Sequence, residues 1–266
     1  MNLRHSYAVF LRYMTLLFGS PQRLFQIFIW GALDVVLWGF LTKYLTEIGG
    51  AGFGIVPTLL GAVILLDFAA RAHQGTSTPA LEDIWSNNLL NYFASPLSVG
   101  EYVVGLVGSS IVTSTFSAIV MVAIAYLVFG FSFAAVGPSL LLFLITLFFF
   151  GISLGVFGAS IVLRFGPSGE WWVWPMTALL SPLMGVFYPI SVLPQWMQFF
   201  SALLPPTYVF EGLRAILLQG STDSRGLIIG LILSVVYILV AQFVFVRVYR
   251  AVVRNGLLAR YSAESL

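Results

Sequence analysis

The sequence predicts an all-α integral membrane protein. Its six transmembrane helices are joined by an N-terminal interfacial helix, a short amphipathic helix between spans two and three, and short re-entrant helices between spans five and six. Three observations predict it. Charged residues make up 8% of the 266 and apolar residues 59%, with a mean hydropathy of +0.99, where a soluble domain carries roughly 25% charge. Apolar stretches of about twenty residues recur along the whole length, enough for about six spans and too little remainder for a soluble catalytic domain. The apolar pattern is interrupted at 77–98 by a run with its own helical stripe. Residues 1–266 therefore read as one membrane domain.

Residues 1–23 set Arg4, His5 and Arg12 among Tyr7, Val9, Phe10, Leu11, Leu16 and Leu17. That pattern fits a basic interfacial helix, and no small-residue cleavage site follows it, so the segment is expected to be retained. Spans are predicted at 24–45, 53–71, 100–129, 138–163, 172–190 and 227–247, each long enough for a hydrocarbon core of ~30 Å. The third exceeds the need and should tilt or protrude. Between spans two and three, a helix over 79–94 places Leu81, Ile84, Trp85, Leu89 and Tyr92 on one stripe. Thr78 is its predicted N-cap, Pro79 its first residue, and Ser95-Pro96 its end. Over 188–225, Pro189, Pro194, Pro205 and Pro206 break an apolar segment, so short helices that enter the outer leaflet and return are expected there, as a lid or as a structural cap.

Six spans put both termini on one side. Arg4, Arg12, Arg23, Arg71, Arg164, Arg247, Arg250, Arg254 and Arg260 then share that side, against Lys43, Arg214 and Arg225 opposite. The positive-inside bias makes the terminal side cytoplasmic, in a plasma (inner) membrane, and places the 79–94 helix in the cytoplasm.

Two stretches carry a resemblance. One has Glu82-Asp83, Ser95-Pro96-Leu97-Ser98, Glu101-Tyr102 and Gly105. The other has Gly185, Pro189, Leu193-Pro194, Trp196, Pro206-Thr207 and Glu211-Gly212-Leu213-Arg214. At this separation within a six-span layout, the chain resembles the permeases of the ABC-2 type export family over nearly its whole length. The resemblance implies two six-span subunits, most simply a homodimer, each seated on a cytoplasmic ABC ATPase subunit, two copies in all, that binds the helix between spans two and three. That helix would be the coupling helix. ATP and Mg would be bound by the ATPase, and no cofactor is expected in this chain, which has no Gly-x-x-x-x-Gly-Lys-Ser/Thr loop and whose one lysine is Lys43. The cargo expected is amphipathic, lipid-linked or drug-like. A polysaccharide or O-antigen exporter is the alternative, although the region before span one is less densely basic than that branch implies.

Four residue groups are expected to matter. Glu82, Asp83, Ile84 and Trp85 offer acids beside an apolar anchor, suited to a groove with basic edges on the ATPase, although a helix resting at the headgroup boundary has the same composition. Asp34 lies ~15 Å into span one, where an ionised carboxylate costs several kcal/mol unless paired or hydrated. Asp67 and Arg71 are spaced i,i+4 and can pair on one face. The three form either an inner gate or a fold-holding polar cluster. Glu211 and Arg214, three apart, with Pro194, are candidates for an outer lid. Trp171, Trp172 and Trp174 suit an aromatic belt. Gly151, Gly155 and Gly158 predict a close helix contact, internal or at a dimer seam.

Some chemistry is excluded. Without cysteine, and with only His5 and His73, there is no thiolate or histidine metal site. No catalytic constellation is present, and a net charge of +2 is too small to imply nucleic acid. Membrane lipid is the expected surroundings. An ion-coupled carrier using Asp34 and Asp67 is the reading from another class, but no internal repeat supports it.

Overall fold

The computed structural model describes residues 2–49, 55–86, 88, 91, 92 and 95–255. The residues described are helical or in turns, and the predicted helix over 79–94 lies partly outside them. Four of the helices are long and apolar enough to cross a membrane: Pro21–Ile48, Val99–Phe129, Ser139–Phe165 and Ser224–Arg254.

Helix α1 (Leu3–Phe18) starts at Asn2, whose side chain accepts the Arg4 N–H, and stops at Gly19. Only Ser20 then separates it from Pro21, the first residue of α2 (Pro21–Gly49), where a missing N–H costs nothing. The first membrane helix thus begins three residues before the predicted position 24. Helix α1 turns Ser6, Val9, Met14 and Leu17 inward. They face α4 (Val99–Phe129), where a Cβ added at Gly105 would sit 2.6 Å from the Val9 Cβ. Its other face leaves Leu3, Tyr7 and Leu11 exposed.

Helix α3 (Ile55–Trp85) corrects the expectation of a fresh helix start at Thr78-Pro79. It runs unbroken for 31 residues with Pro79 inside it. Proline removes one backbone bond and ordinarily kinks a helix. The carbonyl left without its helical donor is that of Gly75, while in the preceding turn the Thr76 and Ser110 hydroxyls donate to the Ala72 carbonyl and Ser77 donates to that of His73. At ~1.5 Å per residue the helix is ~46 Å long, well beyond an apolar core of ~30 Å.

Helix α4 opens with a capping box, Ser98 to Glu101, and ends at Gly130 with φ +65°. Helix α5 (Ser139–Phe165) is the most enclosed of the four apolar helices and packs on α3 and α10 (Ser224–Arg254). The glycine stripe of α5 is an internal seam. A Cβ at Gly151 would lie 2.5 Å from the Ala69 carbonyl oxygen, and one at Gly155 would lie 2.7 Å from the Thr76 Cβ.

The span expected over 172–190 is not one helix. It comprises α6 (Glu170–Val173), α7 (Met176–Leu180) and two 3-10 turns at Ser181–Leu183 and Ile190–Val192. Pro175, Pro182 and Pro189 interrupt it, and Gly185 adopts φ +71°, which L side chains adopt at a cost. Short helices α8 (Gln195–Ala202) and α9 (Pro205–Arg214) follow, then a π-turn over Ala215–Gln219 closed by Gly220.

Two apolar cores result. One gathers Leu60, Phe131, Phe143, Phe210 and Leu213 beside α9. The other gathers Val9, Leu81, Ile84, Tyr102, Val162 and Phe245 beside α1.

Candidate functional site

At the α1 end of the bundle, three ionic contacts fasten α1 and the start of α2 to α3 and α4. Arg12 Nη1 donates to Asp83 Oδ1 at 2.7 Å, and the Tyr102 hydroxyl donates to Asp83 Oδ2 at 2.8 Å. Arg23 Nη1 donates to Glu82 Oε2 at 2.8 Å. Glu101 accepts from the backbone of Asn2 and of Ser98 and lies 3.1 Å from His5 Nδ1. The Arg12 guanidinium also lies over the Tyr92 ring, 5.2 Å from its centre.

The acids expected to face an ATPase are therefore already occupied. The Asp83 side chain is 3% exposed, and Ile84 is buried in the α1-side core. Burial pushes the Asp83 carboxyl above the usual carboxylate range, and bonds from Tyr102 and Arg12 oppose that shift. Trp85, the last residue of α3, is 47% exposed. Of the four residues, Trp85 is the most exposed, while Glu82 is partly covered by its pairing with Arg23. Spacing along the sequence could not have paired Arg12 with Asp83, 71 residues apart. The Ser98-x-x-Glu101 signature was legible.

In mid-bundle, Asp34, Asp67 and Arg71 line one cleft between α2 and α3. Arg71 holds Asp67 by two bonds, Nε to Oδ2 at 3.1 Å and Nη2 to Oδ1 at 3.2 Å, both side chains nearly buried. Asp34 shares the cleft without joining that pair. Trp174 stands on the opposite wall and donates its indole N–H to Glu170 at 2.9 Å. Trp171 and Trp172 are highly exposed.

At the α9 end, Glu211 and Arg214 hold the broken segment in place. Arg214 Nη1 donates to Glu211 Oε1 at 2.7 Å, and Nη2 donates to the Gly185 carbonyl at 2.8 Å. Glu211 Oε1 also accepts the Ile190 N–H at 2.9 Å. One ion pair thus fixes both ends of the turn from Gly185 to Ile190. Pro194 does not join it. Its carbonyl accepts the Met197 and Gln198 N–H groups at the start of α8.

Among the described residues, no group of three or more His, Asp or Glu side chains could hold a metal. The geometry is that of a helical membrane domain with an ion-paired end, a polar mid-bundle cleft and a stapled opposite end. No curated protein matches the chain. Residues 10–218 match the family described as ABC-2 type transporter, a span that takes in the cleft, the stapled end and the ion-paired end except for Asn2 and His5. Proteins of this family are transporter permeases, not themselves catalytic, that generally work with an ABC ATPase partner. The chain belongs to the ABC-2 type transporter family and is an integral-membrane permease subunit of an ABC transporter.

Proposed function

We propose that the chain is the permease half of an ATP-driven exporter, in which two copies enclose the route and each rests on a cytoplasmic ATPase subunit that holds ATP and Mg. The observation that carries this reading is the end of α3. It extends past the polar cleft, is held from the side by α1, and presents Trp85 at its tip. Exposed aromatic anchors of this kind dominate many protein interfaces. Trp85 is the docking side chain and Glu82 its polar rim, while Asp83 and Ile84 brace the helix from behind. The α1 end faces the cytoplasm in the plasma membrane with both termini, following the arginine bias. The polypeptide then crosses six times, with α3 and the broken segment from 170 to 190 as the second and fifth crossings. The α8–α9 helices enter the outer leaflet and return as a lid. The cargo is amphipathic, lipid-linked or drug-like, because the spans are apolar and carry few charges.

Co-purification from the native membrane tests the docking role. A nucleotide-hydrolysing subunit should accompany the wild-type chain and be lost with Trp85→Glu, while Trp171→Glu should retain it. Labelling of a cysteine at position 85 from the outside of intact cells would overturn the orientation.

A further inference from the structure

The mid-bundle cleft has two chambers, of about 460 Å³ and about 180 Å³, that share Asp34, Asp67, Gln74 and Trp174 in their walls. Together they fall in the size range of small-molecule sites. Their ionisable lining is three carboxylates, Asp34, Asp67 and Glu82, and two guanidinium groups, Arg23 and Arg71. Arg71 is committed to Asp67 by two bonds, and Arg23 to Glu82 by one. Asp34 makes no hydrogen bond or ion pair among the described residues. When Asp34 is ionised, the cleft carries one negative charge in excess of its guanidinium groups, midway along an apolar helix where such a charge costs several kcal/mol without a counter-charge or water.

The walls around that charge are aromatic. Trp30 and Trp174 line the larger chamber, and Trp38 and Trp174 line the smaller, with Trp38 stacked on Phe187 at 4.9 Å between ring centres. Indole faces attract cations that shed water easily, above all alkylated ammonium groups. A divalent metal ion would need a fuller set of oxygens than one free carboxylate provides. The single charge matches a monovalent head, and the indoles match one with an apolar periphery.

We propose that this cleft binds the head of a monovalent organic cation, an amine or quaternary onium group joined to an apolar body, with Asp34 as its counter-charge and Trp30, Trp38 and Trp174 as its walls. The proposal rests on the permease reading and supplies its substrate class.

The probe is radiolabelled tetraphenylphosphonium, set against tetraphenylborate, an anion of nearly the same shape. Binding is measured by equilibrium dialysis to the purified full-length chain without any ATPase. The wild type should bind the cation saturably, and labelled borate, dialysed separately, should bind at least tenfold more weakly. Asp34→Asn should weaken binding at least tenfold, and Asp34→Glu by less than threefold. Equal or tighter binding of the borate, or unchanged cation affinity in Asp34→Asn, overturns the proposal. If Asp34→Asn does not fold, the wild-type preference for cation over borate decides alone, and its absence overturns the proposal. Failure here with the co-purified ATPase still present removes only the cation assignment. Saturable cation binding by a chain that recruits no ATPase removes the permease reading and leaves the site.

Discussion

The Arg12–Asp83 contact should act as a strong tether between α1 and α3, and a double-mutant cycle measures its strength. Their facing atoms are 2.7 Å apart, which puts the charge centres roughly 4 Å apart, worth about 4 kcal/mol at an effective dielectric near 20. Arg12 is more than a third exposed while Asp83 is nearly sealed, so water screening reduces the coupling to about 1–2 kcal/mol. The Tyr102 hydroxyl keeps Asp83 bonded when Arg12 is removed, which limits the cost of Arg12→Met alone to about 2 kcal/mol. The four proteins are wild type, Arg12→Met, Asp83→Asn and the double variant. Each is unfolded in mixed micelles of increasing SDS fraction, followed by tryptophan fluorescence. The two single effects should fail to add by 1–2 kcal/mol, roughly a five- to thirty-fold change in the folded ratio. Additivity within about 0.5 kcal/mol would show that the contact is a surface pairing that water replaces, and the bracing role assigned to α1 would fall.

Three further outcomes follow from the geometry. Gly151→Ala places a methyl 2.5 Å from a backbone oxygen and should destabilise the bundle by about 1–3 kcal/mol, whereas Gly100→Ala, with open space around it, should not lower the melting temperature. Arg214→Ala frees the Gly185 carbonyl and one side of Glu211, so limited proteolysis should cut between residues 185 and 190 at least several-fold faster, with the α1 end unaffected. The raised pKa of Asp83 means that the folded chain binds that proton more tightly than the unfolded chain. Its contribution to folding stability is therefore greatest below the ordinary aspartate range and declines as pH rises through the raised value, while the bond to Arg12 needs the ionised form. As pH falls through the raised value, the SDS unfolding midpoint of the wild type should therefore rise, and Asp83→Asn should abolish that pH dependence.

Local chemistry was legible in the sequence where a single helix contains both partners. Asp67 and Arg71 pair at i,i+4, Glu211 and Arg214 at i,i+3, and the capping box starts α4 where its letters place it. Contacts between distant segments were not legible, because no periodicity encodes which helices meet. Arg12 and Arg23 find Asp83 and Glu82 only once α1 lies across the end of α3. The glycine stripe in α5 announced a close contact, but choosing between an internal seam and a dimer seam required the identity of its neighbour, α3. Pro79 misled for a physical reason. A proline after a threonine reads as a helix start, yet Pro79 sits inside an unbroken helix, where it forfeits only the single N–H bond to the Gly75 carbonyl. The break over 170–190 was foreshadowed by its prolines and by Gly185, against a hydropathy that argued for continuity.

Helix α3 is one stiff lever. Its close contacts with Gly151, Gly155 and Ser110 fall between Ala69 and Thr76 and make a fulcrum partway along. Trp85 lies ~15 Å to one side of Gly75, and Asp67 ~12 Å to the other, at ~1.5 Å per residue. A push at the tip that swings the helix about that point drives Asp67 the opposite way by a comparable distance. The small residues packed at that fulcrum are thus what lets one end of the molecule move the other.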